Sequence, residues 1–265
     1  MHAFTYHHPS SLADAVALAG KHTDGKVLAG GQSLVQAMKL RLSSPTAIVD
    51  LGGVKELAGI KVDGNSVTIG AMTRHADVEN SADVKKLIPA LALLAAGIGD
   101  RQVRHMGTIG GSLANNDPAA CYPAAALGLG ATITTNKRKI AADDFFKGLF
   151  ETALAPDELI TSVTFPAAKR AGYIKFKNPA SRFALVGVFV ADMGGSVRVA
   201  VTGAASCVFR VPALEKALGA KFAPESVAAG TVKAETLNSD LHASAEYRAH
   251  LITVMAKRAV TQALG

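Results

Sequence analysis

The chain has 265 residues, of which 49% are apolar and 18% charged, and carries a formal net charge of +7 at neutral pH. That length accommodates two or three sub-structures with cores of their own, and the composition excludes a disordered chain. The basic residues are scattered and Trp is absent, which excludes a stacked nucleic-acid platform and leaves a solvated surface or one steering an anionic ligand or acidic protein.

The run Ser10-Ser11-Leu12-Ala13-Asp14 has capping-box spacing and predicts a helix over Ala13 to Ala19, stopped by Gly20. A short strand, Lys26 to Ala29, leads into Gly30-Gly31. Leu34, Val35, Met38 and Leu42 then recur at helical spacing up to Pro45, and Ala47 to Leu51 reads as a strand. A hairpin is expected from Leu57 to Ile69 across Asp63-Gly64-Asn65. Helices follow at Arg74–Glu79 and Ala82–Ala96. A second glycine pair, Gly110-Gly111, precedes a helix around Pro123–Leu129. Strands are expected at Ala131–Thr135, Lys139–Ala141 and Leu159–Phe165, with Lys137-Arg138-Lys139 in a hairpin turn. Pro166 to Arg170 reads as a boundary. Beyond it, strands near Tyr173–Phe176, Ala184–Ala191 and Val197–Ala204, with a turn at Gly194-Gly195, precede helices at Ala213–Leu218, Pro224–Ala229 and Tyr247–Ala263. The result is an α+β chain in three pieces: 1–53, 54–170 and 171–265.

The two glycine pairs are the chemical signal. Glycine lets backbone N–H groups face an anion with no Cβ in the way, and a hydroxyl close behind adds a donor. Ala29-Gly30-Gly31-Gln32-Ser33-Leu34 and Thr108-Ile109-Gly110-Gly111-Ser112 both have this form, the second running on to Asn115-Asn116-Asp117-Pro118. Neither fits G-x-G-x-x-G or a P-loop, so two loops gripping one diphosphate is the expectation rather than a Rossmann fold. The histidines show no metal-ligand spacing and read as surface or capping residues. Asp143-Asp144 reads as a helix cap. Cys121 and Cys207 cannot supply the four thiolates of an iron–sulfur cluster, and read as small buried residues. No apolar run approaches the roughly 20 residues of a bilayer span, and Met1 to Tyr6 lacks the features of an export signal. The expected compartment is the cytoplasm.

The segments AGGQSLVQAMKLR and QVRHMGTIGGSLANNDPAACYPA together resemble the FAD-binding signatures of the medium subunit of molybdenum hydroxylases, the carbon monoxide and xanthine dehydrogenase group. The resemblance continues through Glu158-Leu159-Ile160-Thr161, Tyr173 to Phe176, Arg182-Phe183-Ala184 and Ala245-Glu246-Tyr247-Arg248. It implies a two-part FAD-binding domain of the vanillyl-alcohol-oxidase/PCMH type followed by a small α+β C-terminal domain. It implies that Ala29, Gly30, Gly31, Gln32, Ser33 and Leu34 hold one side of the FAD pyrophosphate and Thr108, Ile109, Gly110, Gly111 and Ser112 the other. Asn115 and Asp117 would reach ribityl or ribose hydroxyls, with Ile160, Lys175 and Phe183 near the isoalloxazine ring. Cys121 stands where many members of that family carry an acidic residue.

The resemblance further implies separate partners, a small iron–sulfur subunit and a large molybdopterin subunit. Electrons would pass from molybdenum through the clusters to FAD and on to an external acceptor. A stand-alone FAD oxidoreductase and a non-catalytic nucleotide-diphosphate-binding assembly module are the alternatives. A visible spectrum separates the last of these from a flavoprotein.

Overall fold

Ser11 starts the first helix as its spacing predicts: its hydroxyl accepts from Asp14 N at 3.2 Å, and the Asp14 carboxylate accepts that hydroxyl at 2.7 Å. The computed structural model describes residues 1–265. Its first part runs β1 (Thr5–His7), α1 (Leu12–Lys21), β2 (Lys26–Leu28), α2 (Leu34–Lys39) and β3 (Ala47–Asp50). The three strands form a parallel sheet in the order β1-β3-β2, each connection crossing over through a helix. Ala15, Val49, Leu51, Val54, Leu57 and Leu159 make a small core beneath α1. One strand is added here and one helix is shortened. Strand β1 carries no strong local signal and exists because Thr5 to His7 pair with Ala47 to Val49. Helix α2 stops at Lys39, because Arg41 turns to φ +60°, and Leu42 is left exposed.

The middle part contains β4 (Ile60–Asp63), β5 (Ser66–Gly70), α3 (His75–Asn80), α4 (Ala82–Leu87), α5 (Pro89–Ala96), α6 (Arg101–Met106), α7 (Ile109–Asn115) and α8 (Tyr122–Leu129). It continues with β6 (Thr132–Thr135), β7 (Lys139–Ala141), α9 (Ala142–Phe145), β8 (Phe146–Gly148), β9 (Glu151–Thr152) and β10 (Ile160–Pro166). An antiparallel sheet in the order β4-β5-β10-β6-β7 alternates as a half-buried sheet should. Val67, Ile69, Ile133, Val163 and Phe165 face a core shared with the helices, while the Thr68 and Thr164 hydroxyls pair on the other face at 2.9 Å. The helix expected over Ala82–Ala96 is two helices. Pro89 lacks an N–H to continue the first and instead opens the second, at its N1 position.

Ion pairs decide several local questions. The Lys137–Lys139 turn does connect β6 to β7, and Arg138 from it pairs with the buried Glu158 at 2.9 Å. Arg138 first, then hydrogen bonds from Ala155 N and Thr135 Oγ1, hold the Glu158 carboxyl down at about 2 against the opposing effect of burial. Asp143 is not a cap, since Ala141 occupies that position. Its carboxylate instead takes Arg198 at 2.7 Å and Arg210 at 3.1 Å, which tie α9 to the next sheet.

That third sheet joins β11 (Arg170–Lys177), β12 (Ala184–Asp192), β13 (Val197–Thr202) and β14 (Phe209–Arg210) in sequence order, all antiparallel. Helices α10 (Pro212–Ala220) and α11 (Ala245–Leu264) complete the chain, while the helix expected from Pro224 shrinks to one 3₁₀ turn, Pro224–Ser226. Strand β12 is apolar along nearly its whole length because both faces are covered. Val186, Val188 and Val190 pack with α11, whereas Phe189 and Ala191 join the core of the middle part. Gly128 of α8 is required there, since a Cβ would lie 2.7 Å from the Phe189 ring. The C-terminal sheet is thereby fastened to the helix that follows the second glycine pair.

Candidate cofactor site

The first glycine loop follows β2 and folds directly onto the second. A Cβ on Gly30 would overlap the Met106 carbonyl oxygen and sit 2.6 Å from Gly107 Cα, so only glycine allows this approach. Gly31 takes φ +71°, the left-handed region open to glycine. The backbone N–H groups of Ala29, Gly30, Gly31, Gln32, Ser33 and Leu34 have no acceptor anywhere in the chain. The Ser33 side chain does not cap α2, leaving its hydroxyl free. Six consecutive unpaired donors on one loop are backbone groups that an anion could satisfy.

The second loop, expected from sequence to grip from the other side, differs in its backbone: its N–H donors are paired within the chain. Thr108 caps α7 by accepting from Gly111 N at 3.2 Å. Ile109 N donates to Thr73 O at 3.1 Å, Gly110 N to Ala71 O at 2.8 Å and Ser112 N to Thr108 O at 3.1 Å. Those donors are already spent. Gly110 is glycine because a Cβ would lie 2.6 Å from that of Ala71, and a Cβ on Gly111 would be 3.3 Å from that of Ala29. The second pair packs closely against Ala71 and the first loop, and the Thr108 hydroxyl accepts from Gly111 N.

Past α7, Asn115 is half-buried with its side-chain amide unpaired, and Asp117 accepts from Ala119 N at 2.8 Å through one carboxylate oxygen only. Between them, Asn116 is fully buried at φ +43° and donates to Gly148 O at 2.8 Å and Glu151 O at 2.7 Å, so it anchors β8 and β9. Ile160 begins β10, buried in the middle core, and its neighbour Thr161 accepts from Ala71 N at 2.9 Å, one hydrogen bond from Gly110. Lys175 lies on β11 with its ammonium 3.3 Å from Cys121 Sγ and its stem by Gly97 at the end of α5. Phe183 is 48% exposed on the turn before β12. Gly203 N donates to Pro118 O at 2.7 Å and packs against the Ala184 and Leu185 carbonyls, which brings the Phe183 turn toward Asp117.

Sequence reasoning missed the supporting layer. His75, expected at a surface or cap, is buried, its ring tilted 48° against that of Tyr122 with centroids 5.3 Å apart and its Nε2 close behind Gly107. Burial, helped by the charge of Arg104, lowers its pKa to about 4. The unfolded chain then binds a proton that the folded one refuses, so this contribution to stability is complete above about 6.5 and declines as pH falls toward 4. His75→Phe is expected to lose less melting temperature than the parent between neutral pH and pH 4, read by calorimetry. Equal losses in the two proteins would contradict this assignment. No local pattern could have shown His75 as buried, because Gly107 and Tyr122 cover it from distant segments.

Comparison with known proteins gives the family. Residues 2–168 match the family described as the FAD binding domain in molybdopterin dehydrogenase, and residues 172–263 the CO dehydrogenase flavoprotein C-terminal domain. The nicotine 6-hydroxylase medium subunit of Paenarthrobacter nicotinovorans is 38% identical, over 98% of this chain and 97% of that protein. The carbon monoxide dehydrogenase medium chain of Hydrogenophaga pseudoflava is 36% identical, over 98% and 96%. Among solved structures, the carbon monoxide dehydrogenase of Hydrogenophaga pseudoflava lacking the Mo-pyranopterin moiety superposes with a TM-score of 0.92 at 37% identity, covering 99% of this chain and 98% of that one. Quinoline 2-oxidoreductase from Pseudomonas putida 86 superposes with a TM-score of 0.90 at 28% identity, covering 99% and 97%. With both family matches spanning nearly its whole length, the chain belongs to the FAD-binding medium subunits of molybdenum hydroxylases.

Proposed function

We propose that the loop Ala29 to Leu34 is the principal holder of the FAD pyrophosphate. The observation that carries this is its run of six unpaired N–H donors, reinforced by the free Ser33 hydroxyl. Thr108 and Ser112 add hydroxyls from the opposite side, while Ile109, Gly110 and Gly111 shape the floor. Asn115 and Asp117 keep unpaired polar atoms for the cofactor's alcohol groups. Ile160, Lys175 and Phe183 flank the ring end, where an ammonium favours negative charge on a reduced flavin. The units 1–53, 54–170 and 171–265 each contribute one wall of that site.

When bound, FAD supplies reversible two-electron and one-electron transfer, so this chain's residues need only hold, orient and electrostatically tune it. We further propose a cytoplasmic complex with a small iron–sulfur subunit and a large molybdopterin subunit, since two separate thiols cannot ligate a cluster. FAD held by these residues would supply the link between the clusters of that partner and an external acceptor. No helix is long and apolar enough to cross a membrane.

Two measurements test this reading. Acid precipitation of the purified chain should release stoichiometric FAD into the supernatant, and flavin retained in the pellet would contradict non-covalent binding. The chain alone, assayed with an artificial dye, should oxidise no aldehyde, purine or carbon monoxide, and turnover should appear on co-expression with its neighbouring subunits. Full turnover by the isolated chain would promote the stand-alone oxidoreductase.

A further inference from the structure

Outside the pyrophosphate loops, one cluster places reactive side chains from three elements together. Cys121, a free and buried thiol immediately before α8, has its Sγ 3.3 Å from Lys175 Nζ on β11. No carboxylate pairs with that ammonium, which is absent from every ion pair in the chain. Tyr173, two residues earlier on the same face of β11, buries its hydroxyl with no hydrogen-bond partner. Burial first, then the neighbouring Cys121, pushes the Tyr173 hydroxyl well above its ordinary range, so it stays neutral. Gly187, paired with Lys175 across the strands, leaves the space this hydroxyl occupies, since a Cβ there would lie 2.6 Å from it.

We infer that Cys121 and Lys175 form a reversible sulfenamide cross-link when the protein meets hydrogen peroxide. In the first step the thiol attacks one peroxide oxygen. The O–O bond breaks, sulfur is oxidised by two electrons to a sulfenic acid, and one water leaves. In the second, the Lys175 amine, having lost a proton to solvent, attacks that sulfur. The S–N bond forms, the S–O bond breaks, and the hydroxyl departs as water with the second amine proton. The sum is thiol, ammonium and peroxide giving sulfenamide, two waters and one proton. The two atoms are already within hydrogen-bond distance, Lys175 is partly exposed, and the link removes its ammonium.

Treat the purified, FAD-loaded protein with stoichiometric hydrogen peroxide, and compare intact mass and tryptic peptides before and after dithiothreitol. The expected product is about 2 Da lighter than the reduced chain. It contains a peptide joining the Cys121 and Lys175 segments, resists trypsin at Lys175, and reverts fully with dithiothreitol. Cys121→Ser and Lys175→Met should both abolish it, and in Lys175→Met, Cys121 should instead accumulate added oxygen. Oxygen added to Cys121 with Lys175 still cleaved by trypsin, a cross-link that retains an oxygen atom, or oxidation confined to Cys207 would each overturn the inference.

Discussion

Gly30→Val is expected to strip the protein of FAD while most of the fold survives. A Cβ at this position overlaps the Met106 carbonyl and stands 2.6 Å from Gly107 Cα, both backbone atoms that no rotamer change can move aside. The loop must therefore lift off the second glycine segment, which displaces its unpaired N–H donors. Hydrogen bonds to a charged group contribute about 1.5–3 kcal/mol each, so losing two weakens binding by at least about 3 kcal/mol, roughly a hundredfold. The middle and C-terminal cores do not include this loop, and far-UV circular dichroism should change little. Gly111→Val should be milder, since a Cβ there meets first the Thr108 hydroxyl at 2.9 Å and then Ala29 Cβ at 3.3 Å. Gly30→Ala carries the same Cβ block with less bulk and checks the direction. Flavin fluorescence titration of the apo-proteins measures all three. Parental affinity in Gly30→Val would refute the first loop as the principal holder.

Arg248→Ala should be the most damaging single change in the C-terminal part. The side chain is almost fully buried, although it sits on a helix whose other basic residues are exposed. Its Nη1 donates to Leu185 O at 2.7 Å and Gly203 O at 2.9 Å, and Nη2 meets Asp240 at 2.7 Å. Truncation leaves two buried carbonyls unpaired and a cavity between α11 and the start of β12. Removing one member of such a buried charged network costs about 3–5 kcal/mol. Gly203 also donates to Pro118, so FAD affinity should fall together with stability. Asp240→Asn should cost far less, because that carboxylate is 45% exposed and the two carbonyl contacts persist. Urea unfolding of the three proteins decides the matter, and a midpoint for Arg248→Ala equal to that of Asp240→Asn would contradict it.

What could be read from the chain without its fold was whatever a few adjacent residues settle. Ser11 and Asp14 cap α1 through their own side chains. Gly64 and Gly194 take the positive φ that their hairpin turns require. The alternation of Val67 and Ile69, or of Val163 and Phe165, marks strands with one buried face. The two glycine segments were legible as a cofactor signature because the motif is itself local. Where sequence reasoning failed, a distant partner decided. Strand β1 waits for β3, Asp143 is claimed by Arg198 and Arg210, and His75 is buried by Gly107 and Tyr122.

The division between the glycine pairs is the clearest case. Sequence alone determined that both segments could bring backbone close to something, because glycine has no Cβ. Only the tertiary structure decided what that something is. Ala71 and Thr73 come up from the β5 side and take the Gly110 and Ile109 N–H groups, and Thr108 takes the next two. The loop after β2 meets no such acceptors and keeps its donors. A hydrogen-bond donor's availability depends on which acceptors the rest of the chain places within about 3 Å of it, and no reading of its neighbours in sequence contains that information.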